Sequence, residues 1–296
     1  MIESSLLIAG SIAIDTIETP KARRENILGG SVTYALIAAH RYVPCHVVGI
    51  IGTDFPKEGK DLYQSLASNL SDLQEVPGAT FSWGGRYLDN WDDRETLFTD
   101  LGVFGDFKPL LCEENKEVKT VLLANIHPEL QNSIIDQSEA DIFILDTMNL
   151  WINTTRPQLE DVLKKTNILL LNESEAELLT NHSDPQKAGT ELLNYGPEKV
   201  IVKLGSEGAL FISETDPIRI GAYPVEKIVD PTGAGDVFAG AFSGILAAGG
   251  NEVEAIIQAS ALASICVEGF GAEKILNCSV EDVTDRINYL QSILEL

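Results

Sequence analysis

The chain has 296 residues, 44% of them hydrophobic, and a formal charge of −24. That length suits one large α/β domain or two modest ones, and that charge excludes nucleic acid as a partner, because binding there needs cations to neutralise phosphates. No apolar run nears the ~18 residues of a membrane span, and the start "MIESSLLIAGSIAID" lacks the basic head and long apolar core of a signal peptide, so no membrane partner and a cytoplasmic location are expected. The acidity suits solubility or a saline cytoplasm alike, and any anionic ligand must be drawn by local groups against the global field. Cys45, Cys112, Cys266 and Cys278 are scattered without a CxxC pair and read as structural thiols. His40, His46, His127 and His182 show no metal-ligand spacing.

In chain order, "SLLIAGSIAID" (5–15) reads as a buried parallel strand whose carboxyl end, Asp15, meets a ligand. "TIETPKARREN" should be loop or edge strand. "LGGSVTYALIAAHRY" opens on Gly29-Gly30 and continues as an apolar helix with Ser31 as its N-cap. "HVVGIIGTDF" is a second buried strand. Between Thr80 and Thr99 aromatic and polar residues alternate among turn signals, which predicts exposed antiparallel strands. Strand–helix alternation then resumes through "TVLLANI", "DIFILDTM", "NILLLN" and "KVIVKLG", with helices over 158–165, 173–180 and 184–195. A short hairpin, "GALFISETDPIRIGAYP", precedes a C-terminal part that is nearly all helical from Asp236 onward. The pattern predicts an α/β fold, a doubly wound and mainly parallel sheet. A small β lid of roughly residues 15–27 and 82–104 stands apart from the main domain of 1–14, 28–81 and 105–296.

"DPTGAGDVFAGAF" (230–242) carries the chemistry. Val237, Phe238, Ala241, Phe242 and Ile245 recur at helical spacing, so Gly233-Ala234-Gly235 sits at a helix start. Backbone N–H groups and the helix dipole make an anion site there without a basic side chain, and residues this small let a phosphate approach the backbone. Asp236, in the first turn, can take a proton from an attacking hydroxyl while the amides hold the charge building on a transferred phosphoryl group. An acid that merely stabilises a helix start after a glycine turn fits the same four residues. The spacing GxGxxG is not met, since Phe238 stands at the third glycine, and no GxxxxGK[ST] occurs anywhere.

Taken together, "DPTGAGDVFAGAF", the Gly29-Gly30 pair, "NESE" and "KLGSEG" resemble the ribokinase-like (PfkB) family of carbohydrate and nucleoside kinases, in the same motif order from about Leu6 to Gly271. The resemblance implies a ribokinase-like fold, ATP and Mg²⁺ as cofactors, a sugar, polyol or nucleoside as substrate, and a homodimer formed through the lid. It implies that Asp236 is the catalytic base and that the backbone of Gly233, Ala234 and Gly235 forms the anion hole. Asp230 and Thr232 match positions that hold a monovalent cation such as K⁺, with help from the loop 267–272; Asp230 reads equally as a loop-fixing hydrogen-bond acceptor. Asn172 and Glu175 match the NxxE element tied to the Mg²⁺ hydration shell, a role hard oxygen ligands suit, although a helix N-cap with an acidic first turn explains them too. Lys203, Gly205 and Gly208 match the segment lining the nucleotide, with Lys203 where many relatives carry threonine.

For the acceptor, the resemblance matches Asp15 to the carboxylate that grips sugar hydroxyls, and Gly29 and Gly30 to the diglycine against which the substrate lies. Tyr34 departs from the family, standing where sugar kinases commonly have asparagine; it either stacks on a ring or fills the pocket. Arg86 and Arg94 in the lid either reach the substrate or transferred phosphate or pair with Asp92, Asp93 or Glu95. Asn125 and Asn149 are expected at strand ends facing the crevice, as substrate or nucleotide contacts or as plain turn residues. Trp83, Tyr87 and Trp91 are expected to pack the lid, or to cover a ligand.

Overall fold

The computed structural model describes residues 4–88 and 94–294, so Trp91, Asp92, Asp93 and the Arg94 side chain lie outside the described residues. Thirteen strands fall into two sheets: β1 (Leu6–Ala9), β2 (Ala13–Thr19), β3 (Ala22–Gly29), β4 (Cys45–Gly52), β5 (Asn69–Val76), β6 (Ser82–Tyr87), β7 (Arg94–Asp100), β8 (Thr120–Leu123), β9 (Ile142–Asp146), β10 (Ile168–Asn172), β11 (Lys199–Lys203), β12 (Ala209–Ile212) and β13 (Ile218–Ile220). The large sheet has nine strands in the order β13-β12-β11-β10-β9-β8-β1-β4-β5 and the small one four, β3-β2-β6-β7. From β11 across to β5 every pairing is parallel, and the β12/β13 hairpin closes one edge antiparallel. The chain leaves β1 to one side for β4 and returns on its other side at β8, the topological switch point where open α/β sheets bind their ligands.

Buried apolar strands of this kind need helices on both faces. One face, through Leu6, Ile8, Leu122, Ile144, Leu170 and Ile201, packs on helices Ser31–Ala39, Ala234–Ala247 and Glu252–Cys266. The opposite face, through Leu7, Leu123, Leu145, Leu169 and Val202, packs on helices Pro128–Ile135, Arg156–Leu163, Glu173–Thr180 and Pro185–Leu192. Helices Ser31–Ala39 and Ala234–Ala247 lie so close that a Cβ on Gly240 would fall 2.2 Å from the Ala35 carbonyl oxygen.

Four expectations need correction. The run 5–15 is two strands rather than one: β1 belongs to the large sheet and β2, which carries Asp15, to the small one. Each half is buried, but against a different layer, so the apolar stretch hides the break. Ser31 does not cap its helix. Gly30 holds the N-cap position at φ 88, and the Ser31 hydroxyl instead accepts the Ser11 amide (3.1 Å) and donates to the Asn125 carbonyl (3.3 Å), tying the β1–β2 bend to the exit of β8. The small sheet is mixed, with β2 and β6 parallel and only the outer pairs antiparallel. Finally, β5 was not expected, because "NLSDLQEV" is half-exposed and its apolar positions are interrupted by charge.

Cys45 and Cys266 are buried and Cys112 and Cys278 partly so, all four as free thiols. Burial pushes the Cys45 thiol up to about 12 and that of Cys266 well above its usual range. Because the thiolate is the reactive form, these two should resist a thiol-specific reagent at pH 8. Titration of the native protein is expected to modify Cys112 and Cys278 alone, and all four thiols only after denaturation.

Candidate active site

The loop 230–233 is fixed before the helix begins. Asp230, fully buried, accepts the Thr232 amide on Oδ1 (2.9 Å) and the Gly271 amide on Oδ2 (2.8 Å), which joins this loop to the one after helix Glu252–Cys266. Burial pushes its carboxyl above the ordinary range, and those amides oppose the shift. The carbonyl of Val267 accepts the amides of Val229 and Asp230 from the other side. Thr232 donates its hydroxyl to Tyr87 Oη of β6 at 3.0 Å, so the small sheet touches the loop directly.

Gly233 is the N-cap of helix Ala234–Ala247, at φ 79, a left-handed conformation that favours glycine. A Cβ there would lie 2.4 Å from the Tyr34 ring. The Ala234 amide turns back to the Pro231 carbonyl (3.3 Å), and the Val237 amide closes the first helical turn onto Gly233 (2.8 Å). First-turn amides have no preceding turn to bond, and those of Gly235 and Asp236 lie between these two. Asp236 is half-buried in that turn.

Three strand ends complete the cleft. In register, Asp146 of β9 lies opposite Leu170, and Asn172 at the end of β10 opposite Lys203 at the end of β11. These side chains share the sheet face that helix Ala234–Ala247 covers. Lys203 reaches across β10 to donate from Nζ to Asp146 Oδ1 at 2.9 Å, the carboxylate buried and the lysine largely so. The same ammonium is 3.4 Å from where a Cβ on Gly235 would stand, so the bare loop leaves room for it. Burial works against its charge, yet Asp146, Glu175 and Asp236 together hold its pKa above the usual lysine value. Asn172 and Glu175 form a reciprocal capping box: Glu175 Oε2 accepts the Asn172 amide (2.8 Å) and Asn172 Oδ1 accepts the Glu175 amide (2.9 Å). Gly205 and Gly208 shape the turn after β11, at φ 57 and 98, with open space over Gly205.

On the other wall, the Asp15 carboxylate lies so close over Gly29 that a Cβ there would be 1.9 Å from Oδ2. Tyr34 is fully buried beneath Gly233, and its hydroxyl has no hydrogen-bond partner among the described residues. Burial first, then Asp15, raises its pKa well above the ordinary phenol range. It fills the floor and is not presented as a stacking face.

Other expected contacts stand outside this group. Arg86 donates from Nε to Glu18 Oε1 (2.8 Å), with Glu95 3.7 Å from its Nη1, on the half-exposed surface of the small sheet. Asn125 accepts the Trp151 indole N–H on Oδ1 (2.8 Å) and donates to Met148 Sδ (3.1 Å). Asn149 begins the short helix Asn149–Thr154 and is exposed. The ring of Trp83 lies over Gly85 within the small sheet. Sequence reasoning missed Asp146; its one signal is position, an acid closing an apolar strand as Asp15 was expected to do.

The donor set fits a phosphate-bearing nucleotide: a helix start, an ammonium and a side-chain-free approach converge on one side of the cleft. The carboxylates of Glu175 and Asp236 fit Mg²⁺ held through its waters and the phosphates. Among the described residues no group of three or more His, Cys, Asp or Glu could hold a metal by itself.

Comparison with known proteins identifies the family. The family model for pfkB family carbohydrate kinases matches residues 16–277. The chain belongs to that family. It is a kinase of the sugar and nucleoside class, a phosphotransferase that uses ATP. The cytidine kinase of Thermococcus kodakarensis is 30% identical over 244 residues, which cover 80% of this chain and 86% of that protein. The ribokinase of Bacillus subtilis is 27% identical over 291 residues, covering 91% and 94%. Among solved structures, Arabidopsis thaliana ribokinase complexed with ribose and ATP superposes with a TM-score of 0.79 at 22% identity, over 97% of this chain and 99% of that one. The ribokinase fold is therefore shown, with its large parallel sheet and small second sheet.

Substitution Gly233→Ala forces a left-handed backbone on a side chain and drives its Cβ into the Tyr34 ring. The expected outcome is a loss of at least ~1 kcal/mol in denaturant unfolding, together with a fall in kinase turnover.

Proposed function

We propose that this kinase transfers the γ-phosphoryl group of ATP to a hydroxyl, a primary CH₂OH, of a sugar or polyol. Asp236 acts as general base and the backbone from Gly233 to Gly235 as the anion hole. The observation that carries this reading is the placement of Asp236 in the first turn of a helix whose start is bare of side chains and faces the Lys203 ammonium. Bound Mg²⁺ would supply charge neutralisation on the phosphates, with Glu175 and Asn172 orienting its waters. Asp15, over Gly29 and beside Gly30, would orient acceptor hydroxyls. The residues 15–27 and 82–104 would serve as a lid that excludes water when both substrates are in place. Asp230 and Thr232 remain the candidates for a K⁺ site, Asp230 with both oxygens already engaged by amides. The exposed Leu88, Leu97, Phe98 and Leu101 on and beside the small sheet support a homodimer formed through it.

A nucleoside acceptor is the second reading, favoured by the similarity to a cytidine kinase over four-fifths of the chain. A panel of ribose, fructose, inositol, adenosine and cytidine, scored by ADP release, separates the two: turnover with the nucleosides alone would discard the sugar reading.

For the base itself, Asp236→Asn is expected to keep ATP affinity while kcat falls by about 10²–10⁴-fold. Unchanged kcat would remove Asp236 from the role.

A further inference from the structure

Lys203, which the resemblance assigns only to the segment lining the nucleotide, has a more specific place in the proposed site. The cleft gathers three carboxylates, Asp146, Glu175 and Asp236, around the ammonium of Lys203. A phosphate arriving at the helix start therefore enters a field that is net negative apart from this one group and the backbone amides. Lys203 is largely buried, so its charge is costly unless it meets an anion. Its carboxylate partner, Asp146, ends β9 two strands away from β11, which stretches the lysine over β10 and toward Gly235.

We propose that Lys203 is the cation of the phosphoryl site, contacting an oxygen of the transferred phosphate at the start of helix Ala234–Ala247, and that Asp146 is a positioning residue that holds the ammonium there before the nucleotide binds. This rests on the reading of that helix start as the anion hole. Lysine is a point charge on a flexible stem, so it can keep its bond to Asp146 and still turn another N–H toward an incoming oxygen. No backbone movement is required. The sheet register supports the arrangement independently of the charges, because Asp146 and Lys203 must lie on one face for the bridge to form, and that face is the one the helix covers.

Three variants test it: Lys203→Met, Asp146→Asn, and the two combined. Lys203→Met leaves a buried carboxylate unpaired and can unfold the chain; the double variant removes both charges and keeps the question answerable. Calorimetric titration with ATP and Mg²⁺ is the first readout. Loss of a charge-assisted hydrogen bond should weaken binding about 10- to 100-fold in Lys203→Met and in the double variant. Asp146→Asn should weaken it less, and should change nothing further where Lys203 is already methionine. In steady-state assays, KM for ATP should rise with KM for the acceptor unchanged. A double variant that melts cooperatively and binds ATP as tightly as the parent overturns the proposal. If Asp146→Asn costs the same with and without Lys203, Asp146 does not act through it. Should the parent protein phosphorylate none of the acceptors, the acceptor reading fails while the binding titration still judges the lysine.

Discussion

The site depends on how closely helices Ser31–Ala39 and Ala234–Ala247 approach. Gly240 lies against the Ala35 backbone and Gly244 against that of Ala39, a spacing that larger residues would prevent. This contact seats the start of the second helix over Tyr34, with Gly233 resting on the aromatic ring. The left-handed turn at Gly233, the first-turn amides and the position of Asp236 all follow from it. Side chains in a packed interior transmit such constraints because they leave little free volume. The glycines of "DVFAGAFSG" therefore serve packing, whereas Gly233 serves conformation.

A protein with a formal charge of −24 that uses ATP must make its attraction locally. In the proposed site that attraction would come from main-chain amides and the largely buried Lys203 ammonium. The arginines described in the small sheet pair with glutamates, Arg23 with Glu25 and Glu18, Arg24 with Glu273, Arg86 with Glu18. These arginines are thus engaged by neighbouring carboxylates, whereas charges in the cleft act under low-dielectric cover, where each interaction is stronger than in water.

Much of this was legible from the chain alone, for identifiable reasons. The parallel core strands announce themselves as short apolar runs, and "DPTGAGD" is specific enough to name a family. The helix Glu173–Thr180 was read to its ends because its capping box, Asn172 with Glu175, is written locally in the sequence. What stayed hidden was long-range. Nothing local says that the run 5–15 breaks between sheets, since apolar residues continue through the bend at Gly10 and Ser11. Ser31 looks like a cap until Ser11 and Asn125 are placed beside it. The pairing of Asp146 with Lys203 spans 57 positions and depends on strand order. Tyr34 was legible as an oddity, but its direction was set by Gly233, nearly two hundred residues further on.

The bond from Thr232 to Tyr87 has a mechanical meaning. It is a contact between the loop before helix Ala234–Ala247 and a strand of the small sheet, and both residues are buried. Parting the sheets would break this bond, a loss that hydration must offset as the gap opens. The same displacement tugs on the residue preceding Gly233, whose amide is already pinned by Asp230. Separation of the two sheets and tautness of the turn at Gly233 are thus one coordinate: whatever parts the sheets also slackens the start of helix Ala234–Ala247.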